Sequence, residues 1–282
     1  MRRLLAMVLV VLAAPALGES GGQPLRGSRK PVPACSDGAV SAQCKCGSAK
    51  VSSGFCCAGA VQTWACRLID PTPETVCHVR WNGTALVQSS CGGLTWAAAG
   101  SPTQVAGSGR TPPGASGWAI GTYYSLGTGS DVLDFTGDFT SISVFTPAAN
   151  NNGVLISPGS GFAGWAAQVQ STPNARITAF RAGGTENVVT LNAYVNGAPN
   201  VLCAGRTGTS LAIKLNEGAY RTTVAGEITP ATSQSSHIGR LQSGANPFNG
   251  VIHELWFSTA TPSDAACSAL IATAKARLGV TW

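Results

Sequence analysis

The chain has 282 residues, charged residues make up 11% of it, and its formal net charge is +6. Globular chains carry roughly 25% charged residues and about 7% glycine, so this one, with 35 glycines, is charge-poor and turn-rich. A hydrophobic share of 44% with so little net charge excludes intrinsic disorder, and the length suits one large β-sandwich plus a small extra module.

The N-terminus reads as a signal peptide over residues 1–18. Arg2 and Arg3 form a basic start, Leu4 to Leu12 an apolar core, and Ala16-Leu17-Gly18 a small-residue cleavage site. That apolar run is too short to span a bilayer, and no cysteine follows the cleavage site to carry a lipid anchor. The chain is therefore expected to be exported, either secreted to the extracellular space or periplasmic. Residues 19–33 are Gly-, Pro- and Ser-rich and read as a flexible linker. Arg26, Arg29 and Lys30 within it read as a solvated tail. No basic–aromatic patch accompanies them, so nucleic acid is not an expected partner.

Residues 34–67 hold Cys35, Cys44, Cys46, Cys56, Cys57 and Cys66. So short a unit buries too little apolar surface to fold unaided, and in an exported chain its thiols are expected to form disulfides. Six cysteines allow 15 pairings, and their connectivity stays open. Zinc is a poor fit, because Cys-x-Cys and Cys-Cys lack the spacing that presents two thiolates to one metal, and no histidine lies inside the unit. Residues 68–76, with Pro71 and Pro73, read as a stiff linker.

The main domain is expected over residues 77–282. Cys77 and Cys91 bracket a short stretch and are expected to pair. Cys203 and Cys267 would then tie a central strand to the terminal helix. Short β-like runs recur between turn signals: Tyr123 to Leu126, Asp138 to Pro147, Trp165 to Val169, Leu211 to Leu215 with a return at Tyr220 to Val224, and His237 to Arg240. In the second run Phe139, Ser141, Ser143 and Phe145 alternate with Thr140, Ile142 and Val144. In the strand Phe248 to Phe257, strict alternation places Ile252, Glu254 and Trp256 on one face, and Val251, His253, Leu255 and Phe257 on the other. Pro262 to Leu278 reads as a helix capped by Ser263 or Asp264, with Lys275 and Arg277 near its C-terminus.

The order of these pieces resembles the laminin-G-like jelly roll of the concanavalin A-like lectin/glucanase superfamily. The residues that carry the likeness are Tyr123 to Leu126, Leu133-Asp-Phe-Thr-Gly-Asp-Phe-Thr140, Lys214 to Gly218, Ile238 to Arg240, Phe248 to Leu255 and the terminal helix. The resemblance implies an all-β fold: an antiparallel jelly-roll sandwich of two curved sheets with a C-terminal helix. The Cys44-Lys-Cys-Gly and Ser53-Gly-Phe-Cys-Cys57 runs similarly resemble small disulfide-rich modules that precede lectin-like domains in bacterial exported proteins.

That superfamily holds both enzymes and lectins, so function must be argued at a site. Its glucanases set paired carboxylates on one strand face as Glu-x-Asp-x-Glu, as a glycosidase acid and its partner require. This chain has no such motif, and its six glutamates are scattered. Glu254 lies in a strand, but Ile252 and Trp256 flank it, so it reads as a structural acid. Asp131, Asp134 and Asp138 form the one acid cluster. They read as turn-capping residues, with calcium the ion such a set could hold. No other cofactor is expected. His78, His237 and His253 show neither metal spacing nor a triad pattern.

Sugar binding needs an aromatic face for C–H groups, with amides and arginine for hydroxyls. The candidates are Asn151 and Asn152 in a polar loop, Trp118 and Trp165 near glycine-rich loops, and His237 with Arg240 at a strand start. For Trp165, burial is the competing reading, because it alternates with Ala167 and Val169. The expected function is a secreted, non-catalytic, lectin-like protein whose partner is a glycan or other cell-surface component. Two alternatives stay open: an atypical glycoside hydrolase or lyase, and an adhesion or protein-interaction module.

Overall fold

The computed structural model describes residues 56–58, 61–63, 68–69, 72–108, 111–126, 133, 135–148, 152–160, 163–181, 184–190, 192–230 and 235–282. The expected signal peptide and first linker lie outside these residues, as do Cys35, Cys44, Cys46 and Cys66. Of the cysteine-rich unit, the backbone forms a small hairpin, β1 (Cys56–Ala58) with β2 (Val61–Thr63).

Along the chain follow β3 (Thr75–Trp81), β4 (Leu86–Ser90), β5 (Ala97–Ala99), β6 (Thr103–Val105), β7 (Gly114–Ser116) and β8 (Tyr123–Ser125). Next come β9 (Phe139–Pro147), a meander of β10 (Val154–Ser160), β11 (Ala163–Val169), β12 (Ala175–Arg181) and β13 (Gly184–Val189), and a second meander of β14 (Asn200–Thr207), β15 (Ser210–Leu215) and β16 (Arg221–Val224). Then β17 (Ser236–Ile238) and β18 (Gly250–Ser258) lead to the helix α1 (Asp264–Leu278). Sheet I runs β16-β15-β14-β9-β18-β3-β4, with β7 also paired to β18 and β6 to β7. Sheet II runs β13-β12-β11-β10-β17-β8-β5. Every strand pairing described is antiparallel. The all-β sandwich with a C-terminal helix is thus the observed class.

The alternation read in β9 explains its central place. Phe139 and Phe145 point into the core between the sheets, where they join Leu255 and Phe257 of β18 and Trp165, Ile177 and Ile238 of sheet II. Ile142 and Val144 point the other way, into a second apolar layer with Val201, Trp256, Leu68 and Ile69 and with Cys267, Ile271, Ala274 and Leu278 of α1. Those four helix positions recur at the 3.6-residue spacing of a single stripe. Burying a side chain such as Ile271 contributes about 1.5–3 kcal/mol. Ser263 caps the helix by accepting from the Ala266 N–H, and Gly279, at φ 65°, closes it through its N–H to the Lys275 carbonyl. Ser263 is therefore the cap, and Asp264 is the first helical residue. Both expected disulfides are present, Cys77–Cys91 and Cys203–Cys267. The second pins α1 to β14.

Strict alternation fails in β18. Ile252 pairs with Phe145 and Glu254 with Val144, so His253 is the extra residue of a β-bulge. Ile252 consequently turns inward with Leu255 and Phe257, while Glu254 and Trp256 face outward. His253 is buried, with Nε2 beside the Thr146 hydroxyl at 2.9 Å and Nδ1 donating to the Pro113 carbonyl at 3.2 Å. The second departure lies at Leu68 and Ile69, read as linker from the prolines that follow. Their side chains are buried at 2% and 0% exposure, as part of the layer outside sheet I.

Two predictions follow from this packing. Replacing Cys203 and Cys267 by serine reopens a loop of sequence separation 64, and urea denaturation should show a loss of about 4 kcal/mol in the chain-entropy picture. Burial lowers the pKa of His253 to about 4 and, together with the Arg240 charge, that of His237 to about 4. The unfolded chain then binds more protons than the folded one between the ordinary value of about 6.5 and those lowered values. Stability should be fully present above that window and fall as pH drops through it, and His253→Gln should flatten the slope measured between pH 6.5 and 5.

Candidate functional site

Adjacent tyrosines in a strand must face opposite ways. Tyr124 of β8 turns into the core, where its ring meets Trp81 and Trp118 edge-on at 6.0 and 6.2 Å between centroids. Tyr123 is therefore on the outward face of sheet II. In the neighbouring strand Ile238 faces the core, which turns His237 outward as well, and the Tyr123 and His237 rings lie 4.6 Å apart. Arg240 folds back over the same tyrosine, its guanidinium carbon 3.5 Å from the ring centroid. Its Nη1 donates to the Ile120 carbonyl.

Two tight turns hold this group. One is closed by the Ala119–Thr122 bridge, the other by the Leu241 N–H to Ala245 carbonyl bond at 3.0 Å. The residue between Ile238 and Arg240 has to be glycine. Gly239 has φ +89°, and a Cβ there would lie 2.2 Å from the Trp118 indole. Trp118 is thus the wall against which the chain reverses to bring Arg240 over Tyr123. Ile120 stands at the same rim with 71% of its surface exposed.

His237 is neutral at pH 7. Its pKa is pushed down to about 4 by burial first and the Arg240 charge second, with a backbone hydrogen bond at Leu241 working against both. Its Nδ1 and the Arg240 Nε are buried without hydrogen-bond partners. Farther along this face, cross-strand pairs continue the polar surface: Arg176 Nε donates to Gln168 Oε1 at 2.6 Å, and the Thr178 hydroxyl to Asn187 Oδ1 at 2.5 Å. The outward face of sheet II is therefore polar and hydrogen-bonded, in contrast to the apolar outward face of sheet I.

Of the residues singled out from sequence, the structure brings together His237 and Arg240. Trp118 packs behind them at 7% exposure and presents no open ring face. Trp165 is fully buried, its indole N–H donating to the Leu133 carbonyl at 3.1 Å and its ring 4.6 Å from that of Phe139. A ring enclosed in this way is core: the burial read for Trp165 from its alternation with Ala167 and Val169 is what the structure shows, and Trp118 is packed between the sheets as well. Asn152 is exposed and accepts from the Ser171 N–H at 3.2 Å, in the turn after β11. Asn151, Asp131 and Asp134 lie outside the described residues. Both carboxylate oxygens of Asp138 are engaged, by the Gly208 N–H at 2.7 Å and the Thr261 hydroxyl at 2.8 Å. Among the described residues no three His, Cys, Asp or Glu side chains gather as a metal site. Sequence reasoning missed Tyr123 and Ile120. The Tyr123-Tyr124 pair was the available signal for the first.

Glu254 occupies a different place. It is 3% exposed on the outer face of sheet I, where its carboxylate accepts from the Leu68 N–H at 2.7 Å, the Ile69 N–H at 3.0 Å and His78 Nε2 at 2.5 Å. Three donors satisfy the buried charge, and the Leu68–Ile69 segment encloses it. Glu254→Gln would turn an amide N–H₂ toward a donor. We expect a loss of about 3 kcal/mol and faster hydrogen exchange at the Leu68 and Ile69 amides, read by mass spectrometry, with the Tyr123 group undisturbed.

No protein-family model and no curated protein sequence matches the chain. Solved structures match its fold. Domain 4 of AbnA, a GH43 extracellular arabinanase from Geobacillus stearothermophilus solved with arabinotriose, superposes with a TM-score of 0.54 at 13% identity, over 70% of this chain and 98% of that one. The binding domain of botulinum neurotoxin DC, solved with rat synaptotagmin II, gives 0.51 at 10% identity over 71% of this chain and 52% of that one. The CBM40 of a Ruminococcus gnavus IT-sialidase, bound to α2,3-sialyllactose, gives 0.47 at 14% identity over 55% of this chain and 92% of that one. At these identities the first two likenesses establish the β-sandwich fold alone.

Proposed function

We propose that the chain is an exported, non-catalytic carbohydrate-binding protein of the laminin-G-like kind, and that its ligand docks at Tyr123, His237 and Arg240. The observation that carries this reading is the stack itself. A tyrosine ring, a neutral imidazole and a guanidinium converge on the outward face of a rigid sheet, and two of their polar atoms have no partner within the protein. An aromatic with a few fixed polar atoms is what recognition of a sugar ring requires, and Ile120 adds apolar surface at the rim. Enclosure of Glu254 under Leu68 and Ile69 supports the non-catalytic reading, because substrate has no direct approach to that carboxylate. Two disulfides in the sandwich support export to an oxidising compartment.

A glycan array followed by titration calorimetry tests the proposal. The protein should retain at least one glycan, and Tyr123→Ala should weaken it about tenfold or more, with the melting temperature little changed. Retention of a protein partner but no glycan across a diverse array would instead favour the interaction-module reading.

A further inference from the structure

The tip of the β3–β4 hairpin carries a motif that the packing of the sandwich does not use. Asn82-Gly83-Thr84 has the Asn-x-Ser/Thr spacing of an N-glycosylation acceptor, with a residue other than proline between. Asn82 is the one asparagine in the chain followed two residues on by serine or threonine. The spacing alone is common. An attached sugar is bulky and hydrated, so the fold must also present the amide nitrogen to solvent.

The hairpin does so. Trp81 is buried at the end of β3, with its ring edge-on to those of Trp118 and Tyr124, and it pairs with Leu86 of β4. That pairing leaves residues 82–85 as a short loop, closed by the Asn82 N–H to Ala85 carbonyl bond at 3.1 Å. Gly83, at φ +94°, lets the chain turn there. Asn82 and Thr84 are both exposed.

The Asn82 side chain is oriented by the loop itself. Its Oδ1 accepts from the Thr84 N–H at 3.0 Å, the Thr84 hydroxyl at 2.9 Å and the Ala85 N–H at 2.8 Å. An amide nitrogen cannot accept these bonds, so the oxygen is the inner atom and Nδ2 the outer one. Nδ2 has no protein partner among the described residues. A sugar attached to it displaces water and breaks no bond of the loop. Asn200 and Asn216 are the contrast: both are buried, and their Nδ2 groups donate to the Val195 and Ala198 carbonyls and to Asn200 Oδ1. The bond from the Thr84 hydroxyl also keeps together the two side chains that the acceptor motif requires.

We infer that Asn82 is a modification site, the acceptor of an N-linked oligosaccharide taken from a lipid-pyrophosphate donor during export. The step is a glycosyl transfer. A bond forms between Nδ2 and the anomeric carbon of the first sugar, and the bond from that carbon to the donor's phosphate oxygen breaks. The lipid pyrophosphate leaves with the electron pair, and one Nδ2 proton passes to a base of the transferase. Nothing is oxidised or reduced.

The test is secretion of the full chain from a eukaryotic cell line, whose export pathway supplies the transferase and the donor. The intact mass should exceed that of the polypeptide by an oligosaccharide, peptide N-glycosidase should remove the excess, and peptide mapping should place it on Asn82. Thr84→Ser, which keeps the hydroxyl, should stay modified. Asn82→Gln and Thr84→Ala should both be secreted without the glycan. Thr84→Ala retains the asparagine and two of the three bonds to its Oδ1, and this holds the test open should the glutamine variant fold poorly. Secreted protein with a bare Asn82 would overturn the inference, as would a glycan that persists at Asn82 in Thr84→Ala.

Discussion

The Glu254 carboxylate lies between β18 and the Leu68–Ile69 segment, accepting two backbone N–H groups and the His78 ring. That segment pairs with no strand. Without the carboxylate its N–H groups would be buried and orphaned, which folded proteins avoid. With it, Leu68 and Ile69 can be laid on sheet I, and their side chains complete an apolar layer that α1 and the Cys203–Cys267 bridge continue. Sheet I is then covered on both faces. The outward side chains of sheet II include polar ones, Gln168, Thr178 and His237 among them, that are themselves nearly buried.

This asymmetry positions the candidate site. On the outward face of sheet II, Gln168 and Thr178 are polar and nearly buried, and cross-strand hydrogen bonds with Arg176 and Asn187 satisfy them. The strand pairing β17–β8 sets His237 opposite Ser125, with Tyr123 its diagonal neighbour on the same face, and Gly239 lets the chain reverse against Trp118 so that Arg240 returns over the tyrosine. The group rests on paired strands and two short turns, which is the kind of support that keeps a binding geometry pre-organised.

Much of the fold was legible in the chain. The alternation in β9 announced a strand buried on both faces, because Phe139 and Phe145 on one side and Ile142 and Val144 on the other are all apolar. The helix reads as Pro262 to Leu278 with Ser263 or Asp264 as its cap, and the two pairs of sandwich cysteines could be matched. The face assignment of Ile252 could not be read, since one inserted residue shifts every side chain before it to the opposite face. No local signal marks His253 as that residue. The bulge is defined by what β9 pairs with. Leu68 and Ile69 were hidden by the prolines after them, which describe backbone stiffness and say nothing of burial.

For the site, residue type alone was a partial guide. Trp118 and Trp165 lie near glycines in the chain and are sequence candidates for a sugar-binding face, yet both are enclosed, as the alternation around Trp165 allowed, because a large apolar ring is stabilised most where it displaces most water. The sequence by itself determined the strand and helix periodicities and the identity of His237 and Arg240 as polar residues at a strand start, since these follow from local spacing, and the ordered motifs with their family resemblance implied the class of fold. Only the tertiary structure decided that Tyr123 joins them, that Gly239 packs on Trp118, and that Glu254 belongs to a buried clasp. Each of those depends on side chains brought together from strands distant in the chain, and local spacing carries no information about such encounters.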